Sequence, residues 1–242
     1  MRLDTKDAAI KLDHSAVLWD LDGTIADTGQ LHFQAWQAVL SEEGIDYSYE
    51  MFIEGFGQNN AELLRELLAD RKAAMGQAKF ETHSADVALR KEVTFRHLMA
   101  DCDDLPVLPG VVQWLENFRD AGLLQAISSS GPMANITATM QKTGLGDFFH
   151  AYLTGAPLPR GKPDPMLFLH SAAALNIAPE KCIVMEDSLH GLEGARRAGM
   201  MSVAVGQMAQ SEALIELLNQ VDGPPCIAIG DLRKLTRSQL IS

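Results

Sequence analysis

The sequence predicts an α/β protein, a doubly wound parallel sheet with a block of helices inserted after its first strand. Three observations carry this. Short apolar runs bounded by turn residues recur along the chain. Most are separated by stretches whose apolar residues repeat at helical spacing. Residues 29 to about 106 break that alternation, reading as helix after helix with no convincing strand. Alternating strand and helix implies a parallel sheet with helices on both faces. In such sheets the ligand sits beyond the carboxyl ends of the strands.

The elements follow in chain order. Ala16–Asp20 is an apolar run ending in a carboxylate, the first strand. The inserted block then shows a stripe at Leu31, Ala35, Trp36, Val39 and Leu40, ended by Gly44. A second stripe, Leu63, Leu64, Leu67 and Leu68, is opened by Asn59-Asn60, and a third runs from Val87 to Met99. Thr24–Gln30 and Asp103–Pro109 are the expected connectors, the second carrying two prolines and an acidic pair. This divides the chain into an α/β core (1–28 plus 107–242) and a helical domain (29–106). Val111, Val112, Leu115 and Phe118 form the next helix, with Gly122 at its end. Strand Leu123–Ser128 follows, then a helix through Met133, Ile136 and Met140 before Gly144, then strand Ala151–Thr154. Asp164-Pro165 predicts an N-cap with Pro at the first helical position, leading into Leu167, Phe168, Ala172 and Leu175. Strand Cys182–Asp187, helix Leu192–Ala198 and strands Met201–Val205 and Cys226–Ile229 complete the set.

At 242 residues the chain is long enough for one sizeable domain and a smaller one. Its formal net charge of −12 argues against a nucleic-acid partner, which calls for a basic surface. Any phosphate ligand must then be held by local positive charge from a metal, lysines or backbone N–H groups. The three cysteines (Cys102, Cys182, Cys226) show no metal or redox spacing and read as reduced thiols. The polar start, Met1-Arg2-Leu3-Asp4-Thr5-Lys6, lacks the apolar region of a signal peptide. No apolar run approaches the roughly 20 residues a membrane helix needs. The expectation is a cytoplasmic protein with no membrane partner.

Chemistry-bearing residues gather where strands end. Asp20-Leu21-Asp22-Gly23-Thr24 places two carboxylates and a turn glycine after the first strand, a pattern able to hold a divalent cation and offer one oxygen as nucleophile. Ser128-Ser129-Ser130-Gly131 places hydroxyls and backbone N–H groups before a helix, a site for phosphate oxygens. Lys162 lies in a proline-bounded loop, Arg160-Gly161-Lys162-Pro163-Asp164-Pro165. Glu186-Asp187-Ser188 sets two adjacent carboxylates after a buried strand, costly unless paired or bound to a cation.

Taken in this order on successive strand ends, the four motifs resemble those of the haloacid dehalogenase superfamily. The stretch from Glu186 through Gly199 is especially close to the family pattern, and the likeness runs from about Ala16 to Val205. The inserted helices look like the small helical cap of one subfamily. The resemblance implies that Asp20 becomes an aspartyl phosphate and that Asp22 moves a proton to and from oxygen. It implies that Ser128 and Lys162 hold the phosphoryl oxygens, with Ser129 beside the substrate. It also implies Mg²⁺ as cofactor, held by Asp20, the Asp22 backbone carbonyl and Asp187, with Glu186 nearby. An acid at position 22 favours phosphoryl transfer over dehalogenation.

The segment Asp27-Thr28-Gly29-Gln30-Leu31-His32-Phe33-Gln34-Ala35-Trp36 is similar to that of β-phosphoglucomutases and their phosphatase relatives. This implies that Thr28 and His32 lie at the hinge and entrance of the site and that Lys91 reaches it from the cap. The sequence departs from the mutases in the loop Glu54-Gly55-Phe56-Gly57-Gln58-Asn59-Asn60. The mutases place there an arginine that grips a second phosphate, and here Gln58 stands in its place. A neutral amide does not replace a bidentate cation for a dianion. Asp70-Arg71-Lys72 offers basic groups elsewhere in the cap. The reading is therefore a phosphatase for a small phosphorylated metabolite such as a sugar phosphate, with a phosphosugar mutase as the alternative. A phospho-accepting signalling module is the remote one, since the chain is about twice the length of such a receiver and carries a cap.

Overall fold

A computed structural model describes residues 14–55, 58–212, 214, 216, 223–236 and 239. The polar N-terminal stretch and Phe56 and Gly57 of the cap loop lie outside the described residues. Six parallel strands form one sheet: β1 (Ala16–Trp19), β2 (Leu124–Ser129), β3 (Ala151–Thr154), β4 (Cys182–Glu186), β5 (Met201–Val205) and β6 (Cys226–Gly230), in the order β3-β2-β1-β4-β5-β6. β1 lies at the centre, Trp19 opposite Ile127 of β2 on one side and Met185 of β4 on the other. The strand order reverses about β1, so the crevice beyond its end is the natural place for a ligand.

Alternation along the strands sends side chains to two cores. Val17, Trp19 and Ile127 pack with Trp114 and Phe118 of α6 (Val111–Asp120) and Ile136 of α7 (Met133–Thr143). Ala16, Leu18 and Ala126 face the opposite way, onto Phe168 of α8 (Met166–Ala174) and Ala195 of α9 (Leu189–Arg197). Burial on both faces is why the inner strands β1, β4 and β5 read as continuous apolar runs.

Between β1 and α6 come α1 (Gly29–Glu42), α2 (Tyr49–Gly55), α3 (Asn60–Leu67), α4 (Ala69–Met75) and α5 (Gln77–Asp101). Trp36, Leu40, Tyr47, Phe52, Leu64 and Val87 make their common core. A second cluster of Ala35, Phe95 and Met99 packs against Ala138 of α7 and ties the helices to the sheet. α2 and α4 have no counterpart among the predicted stripes: α2 buries only Phe52 and α4 buries nothing, so neither leaves an apolar periodicity to read.

Several expected boundaries move. β1 stops at Trp19 and β4 at Glu186, so Asp20 and Asp187 lie just past the strand ends, while β2 runs on to Ser129 and β6 to Gly230. Pro165 is the N-cap of α8 rather than its first residue, and Asp164 Oδ1 accepts from the Met166 N–H at 3.0 Å. α9 begins at Leu189 because Ser188 caps it, its Oγ accepting from the Gly191 N–H at 3.0 Å. All three cysteines are free thiols. Among the described residues no helix is long and apolar enough to cross a membrane.

Candidate active site

The ends of β1 and β4 and the loop after β3 bring four predicted residues together. Lys162 Nζ donates to Asp20 Oδ1 at 2.5 Å and to Glu186 Oε2 at 2.7 Å, with the Phe168 ring centroid 5.2 Å away. Burial alone would depress this ammonium, but Asp20 and Glu186 outweigh it and hold the pKa above that of a free lysine. Glu186 Oε1 accepts from the Ser188 N–H at 3.1 Å and from its hydroxyl at 2.8 Å. Asp187 Oδ1 accepts from Thr24 Oγ1 at 3.1 Å. Asp187 also packs onto the turn at Gly23, whose φ is +87° and where a Cβ would come within 2.1 Å of Asp187 Oδ2. Only glycine fits that turn.

Oxygens of Asp20, Glu186 and Asp187 lie within 4.8 Å of one another. Burial, and next the charge of Glu186, raises the Asp20 pKa well above the carboxylate range, and the same two causes push Asp187 up to about 8. Three carboxylates against the Lys162 ammonium leave a buried excess of negative charge. An oxygen-rich, anionic cluster of this kind suits a hard divalent cation such as Mg²⁺. The Asp22 carboxylate is not part of it, so any share of Asp22 in metal binding falls to its backbone carbonyl.

Asp22 turns instead to the helical cap. Its Oδ1 accepts from Thr28 Oγ1 at 2.6 Å and lies 3.2 Å from His32 Nε2. Burial would raise this carboxyl, but His32 and the Thr28 hydroxyl outweigh it and hold the pKa at about 2. Lys91 Nζ lies 2.9 Å from His32 Nδ1. An ammonium only donates, so Nδ1 accepts and the Nε2 proton points to Asp22. His32 stacks on Phe95, ring centroids 3.9 Å apart. Lys91 also donates to Glu92 Oε1 at 3.0 Å and sits over Trp36 at 5.1 Å. Of the predicted trio, Lys91 and His32 thus form a chain leading to Asp22, and Thr28 meets the same carboxylate oxygen directly.

Ser128 departs from expectation. Strand alternation turns it to the α8 side with Ala126, where its buried hydroxyl donates to Ser171 Oγ at 2.7 Å. The cavity wall at this turn is made by Ser130 and Gly131 instead. Ser129 faces the other way, accepting from the Gly131 N–H at 3.1 Å, with its Oγ 3.5 Å from Asp22 Oδ2. Gln58 does line the cavity. The basic groups at 71 and 72 do not compensate for a missing arginine: Arg71 pairs with Glu43 and Lys72 lies over Phe80, 5.9 Å from its centroid.

Glu92 and Asn60 were not expected in the site, yet both line the cavity. Glu92 is buried and accepts from Asn60 Nδ2 at 2.6 Å, from Lys91, and from Asn135 Nδ2 of α7. Burial would raise its pKa, but Lys91 and Asn60 lower it below the usual value. The available signal was a charged pair on the stripe Val87, Lys91, Phe95, where a solvated face should not be.

The haloacid dehalogenase-like hydrolase family matches residues 14–199 of this sequence. The chain belongs to that family. Among its relatives, the β-phosphoglucomutase of Bacillus subtilis (strain 168) is 30% identical over 192 residues, covering 79% of this chain and 83% of that one. The fructose-1-phosphate phosphatase of Escherichia coli (strain K12) is 28% identical over 193 residues, covering 79% and 96%. The crystal structure of a β-phosphoglucomutase from Clostridium difficile superposes with a TM-score of 0.76 at 25% identity, over 92% and 93% of the two chains. The chain is thus a hydrolase-family enzyme, and its relatives include a phosphatase and a phosphomutase.

Proposed function

We propose that this hydrolase is a Mg²⁺-dependent phosphatase that acts on a small phosphorylated metabolite, a sugar phosphate by preference, through an aspartyl phosphate. The observation that carries this is the buried Asp20 carboxylate, bonded to Lys162 and crowded by Glu186 and Asp187 at the end of β1. Asp20 attacks phosphorus in line as the P–O bond to the substrate alcohol breaks. Asp22 gives that oxygen a proton, then takes one from the water that attacks the phosphoaspartate, releasing inorganic phosphate and restoring Asp20. Beside His32, Asp22 is held ionised, ready as a base; its acid form requires the His32 contact to loosen. Lys162 and the Ser128–Ser130 turn hold the phosphoryl oxygens, Ser128 only once its hydroxyl leaves Ser171. Asp20, Asp187 and the Asp22 carbonyl, with Glu186 beside them, would hold Mg²⁺, which would offset the repulsion between anionic nucleophile and anionic substrate.

A phosphosugar mutase is the second reading, favoured by the 30% identity to a β-phosphoglucomutase. Against it, no arginine lines the cavity among the described residues; Gln58, Asn60 and Glu92 do, and the Lys91 there is already engaged by Glu92 and His32. A bisphosphate needs cationic grip at both ends. The test is incubation with Mg²⁺ and a panel of sugar phosphates, following free phosphate and isomer formation together. Phosphate release without isomerisation is the expected result. Rapid interconversion of β-glucose 1-phosphate and glucose 6-phosphate, primed by the bisphosphate, would overturn it.

A further inference from the structure

The cavity wall on the cap side carries two buried polar atoms that lack partners. Among the described residues neither Tyr47 Oη nor Gln58 Oε1 has a hydrogen-bond partner. Tyr47 is 1% exposed, its ring packed in the cap core with Phe52 and Leu63. Both residues line the cavity that reaches Asp20. Buried polar atoms without partners are rare and destabilising, and a cavity is where a ligand can satisfy them. Burial pushes the Tyr47 phenol up to about 12, so at neutral pH it keeps its proton and is a donor. Gln58 Oε1 is an acceptor. Trp36 and Phe52 add apolar faces to the same wall, and Glu92 adds a carboxylate.

We propose that Tyr47 and Gln58 form a hydroxyl-recognition subsite that selects phosphate monoesters of polyols or sugars. A substrate hydroxyl oxygen accepts from Tyr47, a hydroxyl proton is donated to Gln58, and the C–H faces lie against Trp36 and Phe52. A second phosphate is unwelcome there, because it has no proton for Gln58. This rests on the phosphatase reading for the identity of the phosphate end, and names the class of the other end.

The test uses the full-length protein with Tyr47→Phe, which deletes only the unpartnered oxygen. In turnover with Mg²⁺, kcat/KM for sorbitol 6-phosphate relative to p-nitrophenyl phosphate, which has no alcohol, should fall about tenfold, the scale of one hydrogen bond. A ratio within twofold of wild type overturns the subsite. Cleavage of neither compound by the wild type overturns the phosphatase reading instead. The subsite is then read by calorimetry in an Asp20→Asn background. There, Tyr47→Phe should weaken sorbitol 6-phosphate about tenfold relative to inorganic phosphate, and Gln58→Leu should do likewise. An unchanged ratio in both variants sinks the proposal. Removing an unsatisfied oxygen should leave the melting temperature of the free protein no lower than wild type. A fall of several degrees assigns Tyr47 a structural role and overturns the assignment.

Discussion

The two ends of the cavity handle charge in opposite ways. At the strand ends, Asp20, Glu186 and Asp187 crowd around the Lys162 ammonium, and burial with mutual repulsion drives Asp20 and Asp187 toward their neutral forms. On the cap side each charge is met: Asp22 by His32 and Thr28, Lys91 by Glu92, Glu92 by two asparagine amides. A settled network is stable without a ligand and holds shape. An unsettled one is stabilised by what binds, so the chemistry belongs to the strand ends, while the cap sets position and choice. Substitutions at the two ends should therefore fail in different ways.

The largest contrast comes from Asp20→Asn. As the nucleophile, Asp20 is required for every substrate, and its loss should reduce kcat at least about 10⁴-fold, measured as phosphate release. The fold should not suffer, because Lys162 keeps Glu186 and one crowded carboxyl leaves the cluster. Phosphate release that survives this change would remove Asp20 from the reaction.

Cation and pH report on the same imbalance. At a free concentration about 100 times its dissociation constant, Mg²⁺ should add about 2.7 kcal/mol of stability. For a chain of this size that is roughly 5–10 °C in melting temperature. Asp187 has its folded pKa raised from 3.8 to about 8. A raised carboxyl stabilises the fold below its unfolded pKa, and that contribution is lost as pH rises through the folded value. The metal-free protein should therefore lose stability between pH 4 and 8, and Mg²⁺ should flatten the slope. A melting curve series in EDTA that shows no decline over this window would contradict the crowding.

At the cap, Glu92→Gln should act on binding more than on chemistry. Glu92 receives three donors, from Lys91, Asn60 and Asn135. A glutamine amide turns one acceptor into a donor facing a donor. Asn135 has little freedom to rotate, since its Oδ1 already accepts from Arg96 at 2.9 Å. The link from α5 to α7 should open, raising KM about tenfold and costing about 1–3 kcal/mol in stability. A kcat loss as deep as that of Asp20→Asn, with KM unmoved, would erase the distinction between the ends.

The same division decides what could be read from sequence. The sheet was legible because its inner strands are buried on both faces, and because Asp20, Glu186 and Asp187 each follow an apolar run. Those three and Lys162 were joined by their likeness to the family's motifs before any contact was known. At Ser128, strand parity intervenes: one residue of alternation turns its hydroxyl onto Ser171, an orientation that spacing along the chain did not reveal. The cap residues were harder. Tyr47 sits on no periodic stripe, in the connection before α2, and Glu92 carries a charge where an apolar face was expected. Both owe their position to helices meeting in three dimensions, which spacing along the chain does not record.

The smallest expected effect is at the seam between the two ends. Gly161 precedes Lys162, and its N–H donates to Glu62 Oε1 of α3 at 3.2 Å. A Cβ there would come within 2.8 Å of both Asn59 Nδ2 and Glu62 Oε2. Asn59 is also the N-cap of α3, accepting from the Glu62 N–H at 2.9 Å. Gly161→Ala thus presses on the tips of two flexible side chains, one of which holds a helix terminus. The helix can retreat slightly from the strand ends without unfolding, and Lys162 keeps both its carboxylates. Because a small displacement spoils alignment of substrate with nucleophile, KM for a sugar phosphate should rise about threefold. Affinity for Mg²⁺, set by Asp20, Glu186 and Asp187, should hold within error. If Mg²⁺ affinity drops alongside KM, the cap and the strand ends are one coupled unit, and the separation of their roles is wrong.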